Sequence, residues 1–190
     1  MIYFIVFCIV VVLLIAVVIR TDKQSVDDSL SHWHQSLEGV RCTPREFYDR
    51  VRSRLEEENL SGLHIKVVAW HEGGIHTEKR DYLRIRRGDY IFDLCAAPVG
   101  NSFFVSSWLS NSRDGILEML APVPFIGWFA RSLLHFFAPV TYFRVDSAAM
   151  FHALVHNAVL AEIDEMTTLT GSRIPDTLRR PVMREIYAAR

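Results

Sequence analysis

An uncharged stretch at the start of the chain constrains everything that follows it. Met1 to Ile19 contains no charged side chain, and from Ile2 onward it is almost wholly Ile, Val, Leu, Phe and Ala. As a continuous helix this segment reaches about 28 Å at 1.5 Å per residue, close to the hydrocarbon thickness of a bilayer. A cleaved leader would instead show a basic start, an apolar run of about 7–15 residues and a small-x-small cleavage site. None of these is present. Residues 1–19 therefore read as a transmembrane anchor. Arg20 and Lys23 follow it and no Lys or Arg precedes it, so the positive-inside rule places the remainder in the cytoplasm. The expectation is a single-pass protein of the inner (cytoplasmic) membrane with its C-terminal domain on the cytoplasmic side.

Subtracting the anchor from 190 residues leaves enough chain for one domain rather than two. A formal net charge of −1 argues against a general nucleic-acid coat, which needs a basic excess. Basic charge gathers locally in the tail, where five arginines between Arg173 and Arg190 face only Asp176 and Glu185. Three cysteines (Cys8, Cys42, Cys95) at wide spacing make neither a disulfide framework nor a zinc site, which fits a reducing compartment.

Residues 20–42 are polar and lack a sustained period, so they read as a tether with one short helix around His32–Leu37. The domain proper is expected at residues 43–190. Thr43-Pro44-Arg45-Glu46 is a capping box with proline in the first turn, and Phe47, Tyr48, Val51 and Leu55 follow as one apolar stripe. Asn59 to Gly62 supplies the stop. Leu63 to Trp70 reads as a strand, with a turn at Glu72-Gly73-Gly74-Ile75. A two-residue turn at Gly88-Asp89 pairs Ile85 with Phe92 and Leu83 with Leu94 on one face. The same register sets Arg84 against Asp93 and Tyr82 against Cys95 on the other. A one-residue slip destroys both agreements, so the pattern predicts a hairpin in this register. Pro98–Asn101 reads as a further turn and Phe103–Leu109 as a further strand. Val140–Val145 reads as strand-like. After it a long helix, capped by Asp146 or Ser147, presents Ala148, Phe151, Val155, Val159, Ile163 and Met166. Pro181 is expected to open a last basic helix. The fold class is thus α+β, with a mainly antiparallel sheet of about four strands packed by helices.

A second lipophilic stretch at about 119–139 contains Arg131 near its middle and Pro122, Pro124 and Pro139 at its edges. Three readings stay open: an amphipathic helix lying in the bilayer interface, a buried core helix, or a second span or re-entrant loop. In the first, Trp128, Arg131 and His135 contact the membrane.

Signals for chemistry are weak. His152 and His156 stand at i,i+4, but no third ligand is indicated by spacing, so no metal and no cofactor is expected. Glu162 falls inside the apolar face of the long helix, where a carboxylate must be paired or neutralised. The structural expectation is a partner such as Arg84 or Arg144; the catalytic one joins Glu162 with His152 and His156 in a small membrane-tethered enzyme. Arg80, Arg84 and Arg86 share a strand face with Tyr82, near Lys79 and Arg87. That face is either simply solvated, a contact for anionic lipid, or the site of a nucleotide or nucleic-acid sensor. The balance favours a non-enzymatic interaction or effector protein at the membrane surface. Its expected partners are membrane lipids, with a homo-oligomer or a partner membrane protein as further contacts and nucleic acid disfavoured.

Overall fold

The structure, a computed structural model, describes residues 29–71, 79–111, 141–168 and 173–183. The anchor, the Glu72–Ile75 turn, the 119–140 stretch with Trp128, Arg131 and His135, and the tail beyond Met183 lie outside these residues. Nearly all of the described chain belongs to one compact unit, Ser29–Ser110 with Tyr142–Arg190. No helix among the described residues is long and apolar enough to cross a membrane.

The elements run β1 (Ser29–Glu38), α1 (Pro44–Glu57), β2 (Leu63–His71), β3 (Lys79–Arg87), β4 (Tyr90–Val99), β5 (Ser102–Asn111) and α2 (Tyr142–Thr168). A 3₁₀ turn at Asp176–Leu178 then leads to the two-residue β6 (Val182–Met183). The strands form one sheet in the order β2-β3-β4-β5-β1-β6. The domain is therefore a mixed α+β fold built on five long antiparallel strands and two helices.

Strand alternation sorts the side chains. Ile65, Ile85 and Phe92 lie in register on one face, as do Val67, Leu83 and Leu94. Leu37 opposite Phe103 extends that face across β5 and β1. Phe47, Val51, Leu55, Phe151, Val155, Val159 and Ile163 from the two helices join these residues in one core. Arg84 and Asp93, Tyr82 and Cys95, and His32 and Trp108 pair on the opposite face. The β3–β4 hairpin has the predicted register throughout, and Gly88 takes φ +58 at the first position of its two-residue turn. That is the place where this class of hairpin turn needs glycine.

Helix α1 begins with the predicted capping box. The Thr43 hydroxyl accepts from the Glu46 amide at 3.2 Å, and the Glu46 carboxylate accepts from the Thr43 amide at 2.9 Å. Its buried Tyr48 closes a gap in the sheet. The β3–β4 ladder stops at Tyr82 opposite Cys95, and the Tyr48 hydroxyl accepts from the Ala96 amide while donating to the Asp81 carbonyl, both at 2.8 Å. Burial pushes this phenol well above its usual pKa, so it stays a donor.

Four expectations are corrected. Residues 29–38, read as part of a tether with a short helix at His32–Leu37, form β1, an inner strand of the sheet. The domain thus begins before Thr43, and its sheet exceeds the expected four strands. The strand expected over Val140–Val145 is not seen in its described part: α2 already starts at Tyr142, where the Tyr90 hydroxyl donates to the Arg144 carbonyl at 2.6 Å. Asp146 and Ser147 are consequently interior to the helix, and the Ser147 hydroxyl donates back to the Phe143 carbonyl, a bond made inside a helix rather than at its cap. Pro181 opens no helix within the described residues; it leads into β6, which pairs with Ser31 and His32 of β1.

One feature of the topology positions the site. The end of the sheet where β1 begins is also where β5 ends, since Ser29 pairs with Ser110. Tyr90 starts β4 at the same end, with Ser110 donating to the Ile91 carbonyl at 3.4 Å. Leu63 of β2 pairs there with Arg87 of β3. Helix α2 starts there too, tied by Arg144 to Asp89 at 3.7 Å. The sequence segments 1–28 and 112–140 therefore both join this domain at one end.

Candidate functional site

Glu162, His152 and His156 of α2 have separate structural duties. Glu162 is 3% exposed and accepts from Arg50 and Arg54 of α1, each at 3.3 Å, while Arg54 also reaches Glu165 at 2.9 Å. The partners are arginines, as a buried carboxylate requires, but not Arg84 or Arg144. Arg84 lies on the far side of the sheet, and Arg144 is eighteen residues earlier on the same helix, about 27 Å along its axis.

His152 meets the Ser31 hydroxyl of β1 at 3.1 Å through Nε2. His156 donates from Nε2 to the Arg179 carbonyl at 2.7 Å, which leaves its buried Nδ1 without a partner. The two imidazoles stack 5.4 Å apart, and Trp33 packs edge-on against His156. Burial, with the neighbouring imidazole as a smaller cause, pushes His152 down to about 4. Burial also lowers His156, partly offset by its carbonyl contact. Both are neutral packing residues at neutral pH. They fasten α2 to β1 and to the C-terminal strap, residues 173–183, which is further held by Trp33 donating to the Leu178 carbonyl at 2.7 Å and by an Arg179–Asp164 ion pair.

Glu162 lies six residues beyond His156 and ten beyond His152, about 9 and 15 Å along the helix. None of the three lines the cleft at Gly62, His64, Lys66 and Arg86 or the one at Asp164, Thr167, Thr168 and Arg173. No group of three or more His, Cys, Asp or Glu among the described residues could hold a metal ion.

The arginine strand divides in the structure. Arg84 is 3% exposed and makes a two-pronged bond to Asp93, Nε to Oδ1 at 2.8 Å and Nη2 to Oδ2 at 2.9 Å. Its guanidinium also sits over the Trp70 ring, 5.1 Å from the centroid. It is a structural member of the sheet. Tyr82 is half-buried beside Cys95, and burial raises its phenol to about 12. Arg80 is exposed toward the end of the sheet away from the hairpin turn.

Arg86 belongs to a different group. With Gly62, His64, Lys66, Arg84 and Gly88 it lines an open cleft of about 620 Å³ at the end of the sheet where α2 starts. The β2–β3 register creates this cleft by setting His64 beside Arg86 and Lys66 beside Arg84. His64 and Lys66 did not stand out in the sequence. Their alternation with Leu63, Ile65 and Val67 was the available signal, and it needs the strand pairing to show that they join Arg86.

Comparison with protein-family models, with curated proteins and with solved structures finds no match.

Proposed function

We propose that this is a membrane protein anchored by residues 1–19, and that its α+β domain works by binding at the cytoplasmic surface rather than by catalysis. The observation that carries this reading is the common end of the sheet. Ser29, Ser110 and Tyr142, through which the sequence's two lipophilic stretches join the domain, gather there with the hairpin turn of β3 and β4. A domain attached in this way can stand on a bilayer with one end down. The engagement of Glu162 by two arginines, and of the histidines by Ser31 and Arg179, favours binding over catalysis.

The test is extraction and labelling of the full chain in its own membranes. An alkaline wash should leave the protein in the pellet. A cysteine at Ser53, exposed on α1, should react with an impermeant maleimide in inverted vesicles and not in intact cells. Release by alkali would remove the anchor, and labelling from outside would reverse the orientation.

A further inference from the structure

Resting on that membrane-anchored reading, we infer that the cleft between β2 and β3 docks the phosphates of anionic lipid headgroups, with Tyr142 and Phe143, at the same end of the domain on the helix side of the sheet, entering the bilayer interface. Charge comes first. Lys66, Arg86 and Arg87 make no salt bridge among the described residues. Of the carboxylates on the β3–β4 hairpin, Asp93 is engaged by Arg84 and Asp89 by Arg144, while Glu57 and Glu58 ahead of β2 and Asp146 in the first turns of α2 are exposed at this end too. Arg86 donates from Nε to the Gly88 carbonyl at 3.2 Å, which steadies the guanidinium and leaves its two Nη groups to a ligand. Gly62 and Gly88 form rims from which no side chain rises, and a Cβ built at either would meet nothing within 4 Å.

Apolar contact comes second. Tyr142 and Phe143 are 88% and 79% exposed at the start of α2, the helix that Arg144 ties to the hairpin turn. Water-exposed aromatic rings and unpaired cations at one end of a domain match the two layers of a membrane interface, ring at the acyl boundary and cation at the phosphate. A nucleic acid fits less well. The cleft offers a base only the small His64 imidazole to stack on, since the larger Trp70 ring nearby already carries the Arg84 guanidinium.

The experiment uses the full chain in nanodiscs of phosphatidylcholine, alone or with one third phosphatidylglycerol. Cys8 and Cys42 are replaced by serine, and a fluorophore is placed at Ser61→Cys beside the cleft or at Asn101→Cys at the opposite end of the sheet. A headgroup-borne quencher reports proximity. Phosphatidylglycerol should raise quenching at position 61 and not at 101. Each cation near an anionic surface contributes about fivefold. K66A/R86A should therefore lower the docked-to-undocked ratio by roughly twentyfold or more, while K66R/R86K keeps it. Serine at both Tyr142 and Phe143 should also reduce docking. Equal quenching in the two disc types, or none, overturns the proposal while the chain stays embedded. Loss of the chain from the discs on an alkaline wash defeats the anchor instead. Binding of inorganic phosphate or a single-stranded RNA that abolishes the phosphatidylglycerol-dependent quenching at position 61 at micromolar concentration, and that is itself lost in K66A/R86A, also overturns the lipid assignment.

Discussion

Tyr48 offers the sharpest perturbation of this fold. Its hydroxyl stands where a β3–β4 ladder bond would otherwise form, serving the Ala96 amide and the Asp81 carbonyl at 2.8 Å each. Tyr48→Phe keeps the ring in the core and removes only that oxygen. The amide is buried, so it loses its partner with no access to water, at a cost of about 1–3 kcal/mol. The carbonyl belongs to the exposed residue Asp81 and can partly rehydrate, which adds at most about 1 kcal/mol. The expected loss is about 2–3 kcal/mol, a fall in Tm of roughly 5–10 °C for a domain of this size. Thermal unfolding of the full chain in a neutral detergent, followed by tryptophan fluorescence, measures it. Amide hydrogen exchange adds a local readout, because the Ala96 amide should lose protection more than its neighbours. A loss below about 0.5 kcal/mol with Ala96 still protected would refute the reasoning. It would mean that β3 and β4 can close the gap and bond directly, so that the hydroxyl fills a space the sheet does not need.

Two further predictions follow from α2. His152 is lowered to about 4 and His156 is lowered too, so the unfolded chain binds more protons below about pH 6.5. The stability these histidines contribute is complete above that pH and is lost as pH falls toward 4, by about 3 kcal/mol for His152 alone. Denaturant midpoints across this range should fall with acid and flatten in His152→Gln; an unchanged slope in the variant would contradict the assignment. The Glu162 ion pairs should respond asymmetrically. Glu162→Leu releases arginine side chains that are 52% and 35% exposed and can turn to water, so it should cost under about 1 kcal/mol. R50A/R54A leaves the carboxylate buried alone and should cost about 3–5 kcal/mol at neutral pH, a difference that double-mutant unfolding curves would resolve.

Much of the fold is legible in the sequence where local chemistry and burial agree. The capping box at Thr43, the α1 stripe and the β3–β4 register are of this kind. Strand β1 was hidden because the face it turns to the helices alternates polar Ser31 and Gln35 with apolar Trp33 and Leu37. Ser31 can be buried there only because His152 meets its hydroxyl, a contact made 121 positions away. The start of α2 was hidden for the opposite reason. Val140-Thr-Tyr-Phe-Arg-Val145 has strand-like composition, and the bonds from Tyr90 and Asp89 to Arg144 accompany a helical backbone there. The partners of Glu162 follow from the packing of α2 against α1, which no spacing along either helix reveals. At the candidate site, Arg86 was visible as part of an arginine strand, but the loss of Arg84 to the interior and the recruitment of Lys66 and His64 depend on cross-strand register.

The position of β1 also bears on how the protein is made. This strand leaves the ribosome before its sheet partner β5, which ends only at Asn111, and β6 lies later still. At about 5–20 residues per second, some 4–16 s separate the synthesis of Ser29 from that of its partner Ser110. Through that interval β1 is an unpaired edge in the making, open to pairing with any neighbouring chain. Its alternation of serine and histidine with only two large apolar side chains on the core face keeps it soluble while it waits. The composition that disguises β1 as a tether is also what lets it behave as one until β5 arrives.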